Sequence, residues 1–386
     1  MAEARVYLDY AATTPLDPRV AAAMEPFWFE QFGNPHSGSH VFGWEAEEAV
    51  IAARQQIAES IGVSPREIIF TSGATEANNL SLIGLARGLA EGAAGQSVIL
   101  SSATEHPSVT EPIGFLQDQG FDPYPLTVTT EGEIDCDRLP SLSESVATII
   151  LAVMAVNSET GVVQPIAKIR QAVVDHYPWA RVFLQVDAAQ AMGRIAVTPL
   201  QWGADLVSLS AHKFYGPSGV GAVYIKAEIQ GLIQPLSYGG GQEKSLRPGS
   251  LPVPLIVGMA TAAAIAGMEG PTESLRIAAL RQGLLAQLWE AGIVFKINGN
   301  GVPAIVNLQL PGMVARDLLA GLPNFALSLG SACHHAELTP SPVLLAMGLS
   351  PTEALSSFRL CLGRTTTAED LNRLVQELVG ILPRAV

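Results

Sequence analysis

Short apolar, β-branched runs alternate with amphipathic stretches through most of the chain. Glu67-Ile-Ile-Phe70 reads as a strand, followed by a small-residue turn and a helical pattern from Glu76 to Ala86. Ser97-Val-Ile-Leu100, Ala147 to Val153, Val182-Phe-Leu-Gln-Val186 and Leu206-Val-Ser-Leu209 predict further strands. Strands that are apolar on both faces and separated by helices imply an α/β fold, with a mostly parallel sheet covered on both sides. Ligand groups in such folds gather at the carboxyl ends of the strands. The polar motifs of this chain sit there: Thr71 onward, Glu105-His106, Asn157 onward, Asp187 and Lys213.

Beyond about residue 255 the texture changes. An Ala-rich helix, Val257 to Met268, leads into an amphipathic one, Glu273 to Ala291. Ala304-Ile-Val-Asn-Leu-Gln-Leu310, a polar loop holding Cys333 and a last helix from Ala368 to Leu382 complete a smaller α+β domain. The expected division is a large domain over 14–255, with 1–13 and 256–386 forming the small one.

Composition narrows the function classes. Hydrophobic residues make up 48% and charged residues 15%, enough for large cores and too apolar for disorder. The formal charge is −14, with no Lys/Arg-rich run, so nucleic acid and anionic membrane surfaces are poor partners. The start leads straight into the strand-like Val6-Tyr-Leu8, with no secretory signal pattern. Apolar stretches such as Ala147 to Val156 are too short to span a bilayer as helices. Cys136, Cys333 and Cys361 form neither a disulfide framework nor a metal-ligand spacing, which points to a reducing cytoplasm and no metal.

Lys213 lies in Ser208-Leu-Ser-Ala-His-Lys-Phe-Tyr-Gly-Pro217, and Asp187-Ala-Ala-Gln190 precedes it. A lysine amine can hold an aldehyde cofactor as a Schiff base, and a carboxylate can keep a pyridine nitrogen protonated. Singly, the first reads as a solvated loop lysine and the second as a strand-end cap. Phe70-Thr-Ser-Gly-Ala-Thr-Glu76 joins a strand to a helix start, where Gly73 and Ala74 let a phosphate approach and Thr75 adds a hydroxyl. Ordinary N-capping by Ser72 or Thr71 fits the same pattern.

Cys333, in Gly330-Ser-Ala-Cys-His-His335, has small and polar neighbours, unlike Cys361 in Arg359-Leu-Cys-Leu362. The first suits a nucleophile and the second suits packing. His334 and His335 lower the Cys333 pKa if cationic, or are simply exposed. Arg359 is either a surface charge or a clamp for a carboxylate. His106 could stack on an aromatic cofactor or relay a proton.

In this order the motifs are recognisable. The chain resembles the cysteine desulfurases of the NifS/IscS group, pyridoxal-phosphate (PLP) enzymes of aminotransferase class V with the fold-type I, aspartate aminotransferase-like architecture. The likeness runs from Tyr7-Leu-Asp-Tyr-Ala-Ala-Thr-Thr-Pro15 through Phe32-Gly-Asn-Pro35, Thr104-Glu-His106, Ser210-Ala-His-Lys213 and Arg247-Pro-Gly-Ser250 to the helix after Arg364. It implies that Lys213 holds PLP and shuttles the substrate α-proton, Asp187 pairs with the pyridine nitrogen and Gln190 bonds the phenolic oxygen. It also implies that His106 stacks on the ring, while Ala74, Thr75, Ser210 and His212 bind the phosphate. Ser250 would reach the phosphate of a neighbouring subunit, hence a homodimer. Arg359, with Asn34 nearby, would grip the carboxylate of L-cysteine, and Cys333 would take its sulfur as a persulfide. The sulfur would pass to an acceptor protein for iron–sulfur cluster assembly or other sulfur transfer.

Cystine or cysteine lyase and selenocysteine lyase activities on the same fold are the alternatives, with a non-catalytic PLP-binding tether further off. The chain departs from the pattern at Ser158, where close relatives often have Asn, at Pro217-Ser218 and at His334-His335. It also stops at Val386, where relatives that feed the housekeeping scaffold carry a longer extension.

Overall fold

The computed structural model describes residues 5–92, 96–330 and 339–382. Strand β1 (Val6–Tyr7) opens the chain. A central sheet follows, built from β2 (Ile68–Thr71), β3 (Gln96–Ser102), β4 (Asp122–Leu126), β5 (Val146–Met154), β6 (Arg181–Asp187), β7 (Leu206–Ser210) and β8 (Gly221–Ile225). Its order is β2-β8-β7-β6-β5-β3-β4. All neighbours pair in parallel except β8, which runs antiparallel to both β2 and β7. The apolar runs are buried on both faces, as their composition requires: every residue of β2, β7 and β8 is buried. β4 is an edge strand, which is why it tolerates Pro123 and Pro125.

A second sheet holds β9 (Lys296–Ile297), β10 (Ile305–Gln309) and β12 (Ser357–Cys361), all antiparallel, while β11 (Phe325–Ala326) pairs with β1. Val6 and Leu8 therefore share a core with Val306, Leu308, Phe358 and Leu360.

The two helices expected on either side of residue 270 are one, Val253–Glu290. Pro271 removes a backbone donor but does not break the helix, and Gly270 before it passes close to Gly193, whose carbonyl oxygen would lie 3.1 Å from a Cβ there. Ile256, Met259, Ala263 and Ala266 enter the large core, whereas Ile277, Leu284 and Leu288 enter the small one. The helix thus crosses from the boundary expected near 255 through both cores. Among the described residues it is the one helix long and apolar enough to cross a membrane by length and composition. Ile256, Met259, Ile265, Ile277, Leu284 and Leu288 are instead buried in the two cores, while Met268, Leu275 and Trp289 are exposed.

Candidate active site

Strand β7 ends at Ser210, Ala211–Lys213 make one 3-10 turn, and the backbone then turns left-handed at Tyr215, with φ of +67°. That conformation costs a bulky residue roughly 1–3 kcal/mol. Its neighbours hold it. Tyr215 N donates to Thr14 Oγ1 at 2.7 Å, Asp17 N donates to Tyr215 O at 3.0 Å, and the phenol accepts from Arg364 N at 2.7 Å. Gly216 follows because a Cβ there would lie 2.9 Å from Ala211. Thr14 also donates to His212 O, from N at 2.9 Å and from Oγ1 at 3.0 Å.

The N-terminal segment that pins this turn also holds the amine, since Lys213 Nζ donates to Ala11 O at 2.8 Å and Ala12 O at 2.7 Å. Burial, then the cations Arg194 and Arg359, push Lys213 from its usual 10.5 down to about 8. That drop corresponds to about 3 kcal/mol against the ammonium form. Only the free amine attacks an aldehyde, so capture of PLP by the cofactor-free protein should quicken about tenfold per pH unit below about 8 and level off above it. Stopped-flow absorbance from pH 6 to 10 checks this; a rise continuing to pH 10 would contradict it.

Asp187, the last residue of β6, is buried at the floor of the same cavity. Its Oδ2 accepts from Asn78 Nδ2 and its Oδ1 from Ala189 N, both at 2.9 Å. His106 caps the helix Pro107–Asp118, its Nδ1 accepting from Ser108 N at 3.0 Å. A backbone amide only donates, so Nδ1 carries the lone pair and the ring proton sits on Nε2. Burial lowers the His106 pKa, helped by Lys213 and Arg359 and opposed by Asp187, which keeps the ring neutral at pH 7. Beside them Glu105 is fully buried; burial and then Asp187 raise its carboxyl well above the usual range, while Oε1 accepts from Met154 N at 2.6 Å.

At the other end, β2 stops at Thr71 and Gly73 adopts φ of +154° before the helix starting at Ala74. A Cβ on Gly221 of β8 would lie 2.6 Å from Gly73 Cα and 2.5 Å from Leu209 O, so the two strands and the turn meet only through glycine. Ala74 and Thr75 bring the free amides of a helix start to the cavity, and Ser210 and His212 face them across it. Glu76 tightens the turn, accepting from Ser72 N at 2.6 Å and from Arg247 Nε at 2.9 Å. Burial and Lys213 push His212 down to about 4, so its ring is neutral and its Nδ1 meets Thr13 Oγ1 at 3.1 Å.

Arg359 enters from β12. Its guanidinium is buried, with Nη2 on Asp9 Oδ1 at 2.7 Å and Nη1 on Ser158 O at 2.8 Å. Its Nε has no acceptor among the described residues, leaving a donor for a carboxylate.

One cavity of about 400 Å³ collects Ala74, Thr75, His106, Asp187, Gln190, Ser210, His212, Lys213 and Arg359. Ser158 lines it too, whereas Asn157 turns away, its Oδ1 accepting from Glu159 N and Thr160 N. Two expected residues are not brought in. Ser250 is exposed and outside the cavity, and Asn34 is exposed with its Oδ1 on His36 N at 3.0 Å. Cys333 lies outside the described residues, as do His334 and His335. Sequence reasoning missed Asn78 and Ser108, which are ordinary polar residues in helical stretches, and the carbonyls of Ala11 and Ala12, which no side-chain pattern reveals.

The model of the family described as aminotransferase class-V matches residues 6–374. The chain belongs to the class-V aminotransferase family. Among its relatives, the human cysteine desulfurase is 40% identical over 98% of this chain and 82% of that protein. The cysteine desulfurase IscS of Methylococcus capsulatus is 43% identical over 95% of this chain and 90% of its own length. A solved NifS-like protein superposes with a TM-score of 0.88 at 32% identity, over 98% of this chain and 99% of that one. A solved SspA in complex with cysteine gives 0.80 at 34%, over 92% and 98%.

As a class-V aminotransferase the chain is PLP-dependent, and its fold is that of fold-type I. The cavity fits that cofactor on its own terms. The Gly73 turn is a cradle for a phosphate, Asp187 is an acid for a pyridine nitrogen, and Lys213 is a desolvated amine for an aldehyde. Gln190 donates Nε2 to Ala11 O at 2.8 Å while its buried Oε1 has no partner among the described residues, an acceptor that a donor on a bound ligand would satisfy.

Proposed function

We propose that this chain, a PLP-dependent cysteine desulfurase, converts L-cysteine to L-alanine and leaves the sulfur as a persulfide on Cys333. An acceptor protein then takes it for iron–sulfur cluster assembly or other sulfur transfer. The observation that carries this reading is the meeting of Lys213, Asp187 and Arg359 in one cavity. When bound, PLP supplies an aldehyde and an electron-poor ring that stabilises negative charge at the substrate Cα. Lys213 Nζ would hold the aldehyde and would move the proton at the substrate Cα. Asp187 would keep a proton on the pyridine nitrogen, Gln190 would bond the phenolic oxygen, and neutral His106 would stack on the ring. Ala74, Thr75, Ser210 and His212 bind the phosphate, and Arg359 Nε–H takes the substrate carboxylate.

Cys333 attacks as its thiolate at the substrate sulfur, and the substrate Cβ–S bond breaks. The atoms balance: one thiol and one cysteine give one persulfide and one alanine, with no outside oxidant. The test is product analysis with L-cysteine and a reducing thiol. Alanine matched by sulfide supports the reading, while pyruvate with ammonia would replace it with a lyase.

The active unit is proposed to be a homodimer, with Ser250 reaching the neighbouring phosphate. Two observations support this. Ser250 stands outside its own cavity, and Trp28, Phe29, Phe32, Phe42 and Trp44 are each about half exposed or more in one stretch. Exposed apolar clusters of that kind mark contact surfaces. Sedimentation at micromolar concentration should give twice the 40.6 kDa chain mass, and a monomer binding PLP normally would defeat the idea. We place the enzyme in a reducing, cytoplasmic setting, in keeping with Cys136 and Cys361 being free thiols. The small domain is proposed as 1–13 with 256–386, sharing the helix Val253–Glu290 with the large one.

A further inference from the structure

We propose that Asn78 is a positioning residue that orients the Asp187 carboxylate for the pyridine nitrogen and joins it, through Ser108, to His106. This rests on the PLP-dependent reading of the cavity. Asn78 is completely buried and lies on the helix after the phosphate turn, outside the cavity lining. Its amide is bonded on both sides. Oδ1 accepts from Gln185 Nε2 at 2.9 Å, and because a carboxylate only accepts, the end of the amide that meets Asp187 is the nitrogen. Nδ2 then gives its two protons to Asp187 Oδ2 and Ser108 Oγ, each at 2.9 Å.

Each bond fixes the next. Ser108 Oγ accepts from Asn78, so its own proton is free to point at His106 Nδ1, 2.9 Å away. Ser108 N already donates to that nitrogen at 3.0 Å. Two donors on Nδ1 hold its lone pair in place and put the ring proton on Nε2. The same Asn78 amide occupies Asp187 Oδ2 while Ala189 N occupies Oδ1. Hydrogen bonds to both oxygens fix the orientation in which the carboxylate would meet a pyridine nitrogen. A neutral amide does this inside a low-dielectric site without adding a charge. Aspartate at 78 would place a second acceptor against Asp187, in a pocket that already contains Glu105.

The experiment is ¹⁵N NMR of the histidine rings in the PLP-loaded protein and its cofactor-free form, with His106→Gln assigning the signal, together with titration of PLP. The parent should show the Nε2–H tautomer. Asn78→Ala should weaken PLP binding by tenfold or more and move the pyridine signal of bound ¹⁵N-labelled PLP, while the Nε2–H tautomer persists through the Ser108 N bond. Ser108→Ala should leave the tautomer as in the parent and PLP affinity within about twofold, because Ser108 N and the Asn78 bond to Asp187 both survive. Asn78→Ala with unchanged PLP affinity and an unmoved pyridine signal overturns the proposal. Should Asn78→Ala fail to fold, Asn78→Asp, which keeps the volume but sets an acceptor against Asp187, decides alone, and unchanged PLP affinity there overturns it. Neither readout needs turnover, so a parent that makes no alanine would defeat the desulfurase reading and leave these outcomes intact.

Discussion

Lys213→Ala should cut cysteine turnover on the order of 10⁴-fold or more. General acid–base work by one positioned group is worth roughly 10²–10⁴, and this substitution also removes the covalent tether for the aldehyde. The effect should be on kcat more than on KM, since Arg359 remains to hold the substrate carboxylate. The variant should still take up PLP, through the Gly73 turn and Asp187, but release it on dialysis. Steady-state alanine assays with absorbance spectra before and after dialysis check both parts. A variant that keeps a tenth of parental activity and retains its cofactor would show that another amine does this work.

Cys333→Ser should abolish alanine formation by roughly 10³-fold or more while leaving PLP binding as in the parent. A serine hydroxyl is not ionised near neutral pH, and an oxygen at that position cannot store sulfane sulfur. Every described residue lining the PLP cavity is untouched by the change. The two substitutions therefore separate cleanly, one losing the cofactor link and the other losing only the sulfur acceptor. Mass spectrometry of parent protein after brief exposure to cysteine should add one sulfur, about 32 Da, and none on the variant. Alanine at the parental rate from Cys333→Ser would remove the persulfide from the mechanism.

Much of this could be read from the chain, for physical reasons that differ by element. The central strands β2, β3, β5, β6 and β7 are legible because burial on both faces forces unbroken apolar runs. β4 is not, because an edge strand with Pro123 and Pro125 looks like a breaker. β8 hides because Gly221 is small for its close approach to Gly73, not for a turn. Lys213, Asp187 and His106 carry chemistry in their side chains and so announce themselves. Asn78 acts through Asp187 and Ser108, and a polar residue in a helix carries no mark of what it touches. Ser250 and Asn34 were expected in the site, yet a single chain leaves both exposed.

The helix Val253–Glu290 is a beam embedded at both ends in different material. Its first half is glued into the sheet that carries Asp187 and Lys213, and its second half into the layer that carries Arg359. Neither layer can melt without stripping apolar partners from the other, so heat should take the molecule apart in one step. Pro271, between the two embedded halves, interrupts the backbone ladder. A bend of a few degrees there would swing Arg359 as on a lever arm relative to Lys213, which makes one proline the natural pivot for the distance between them.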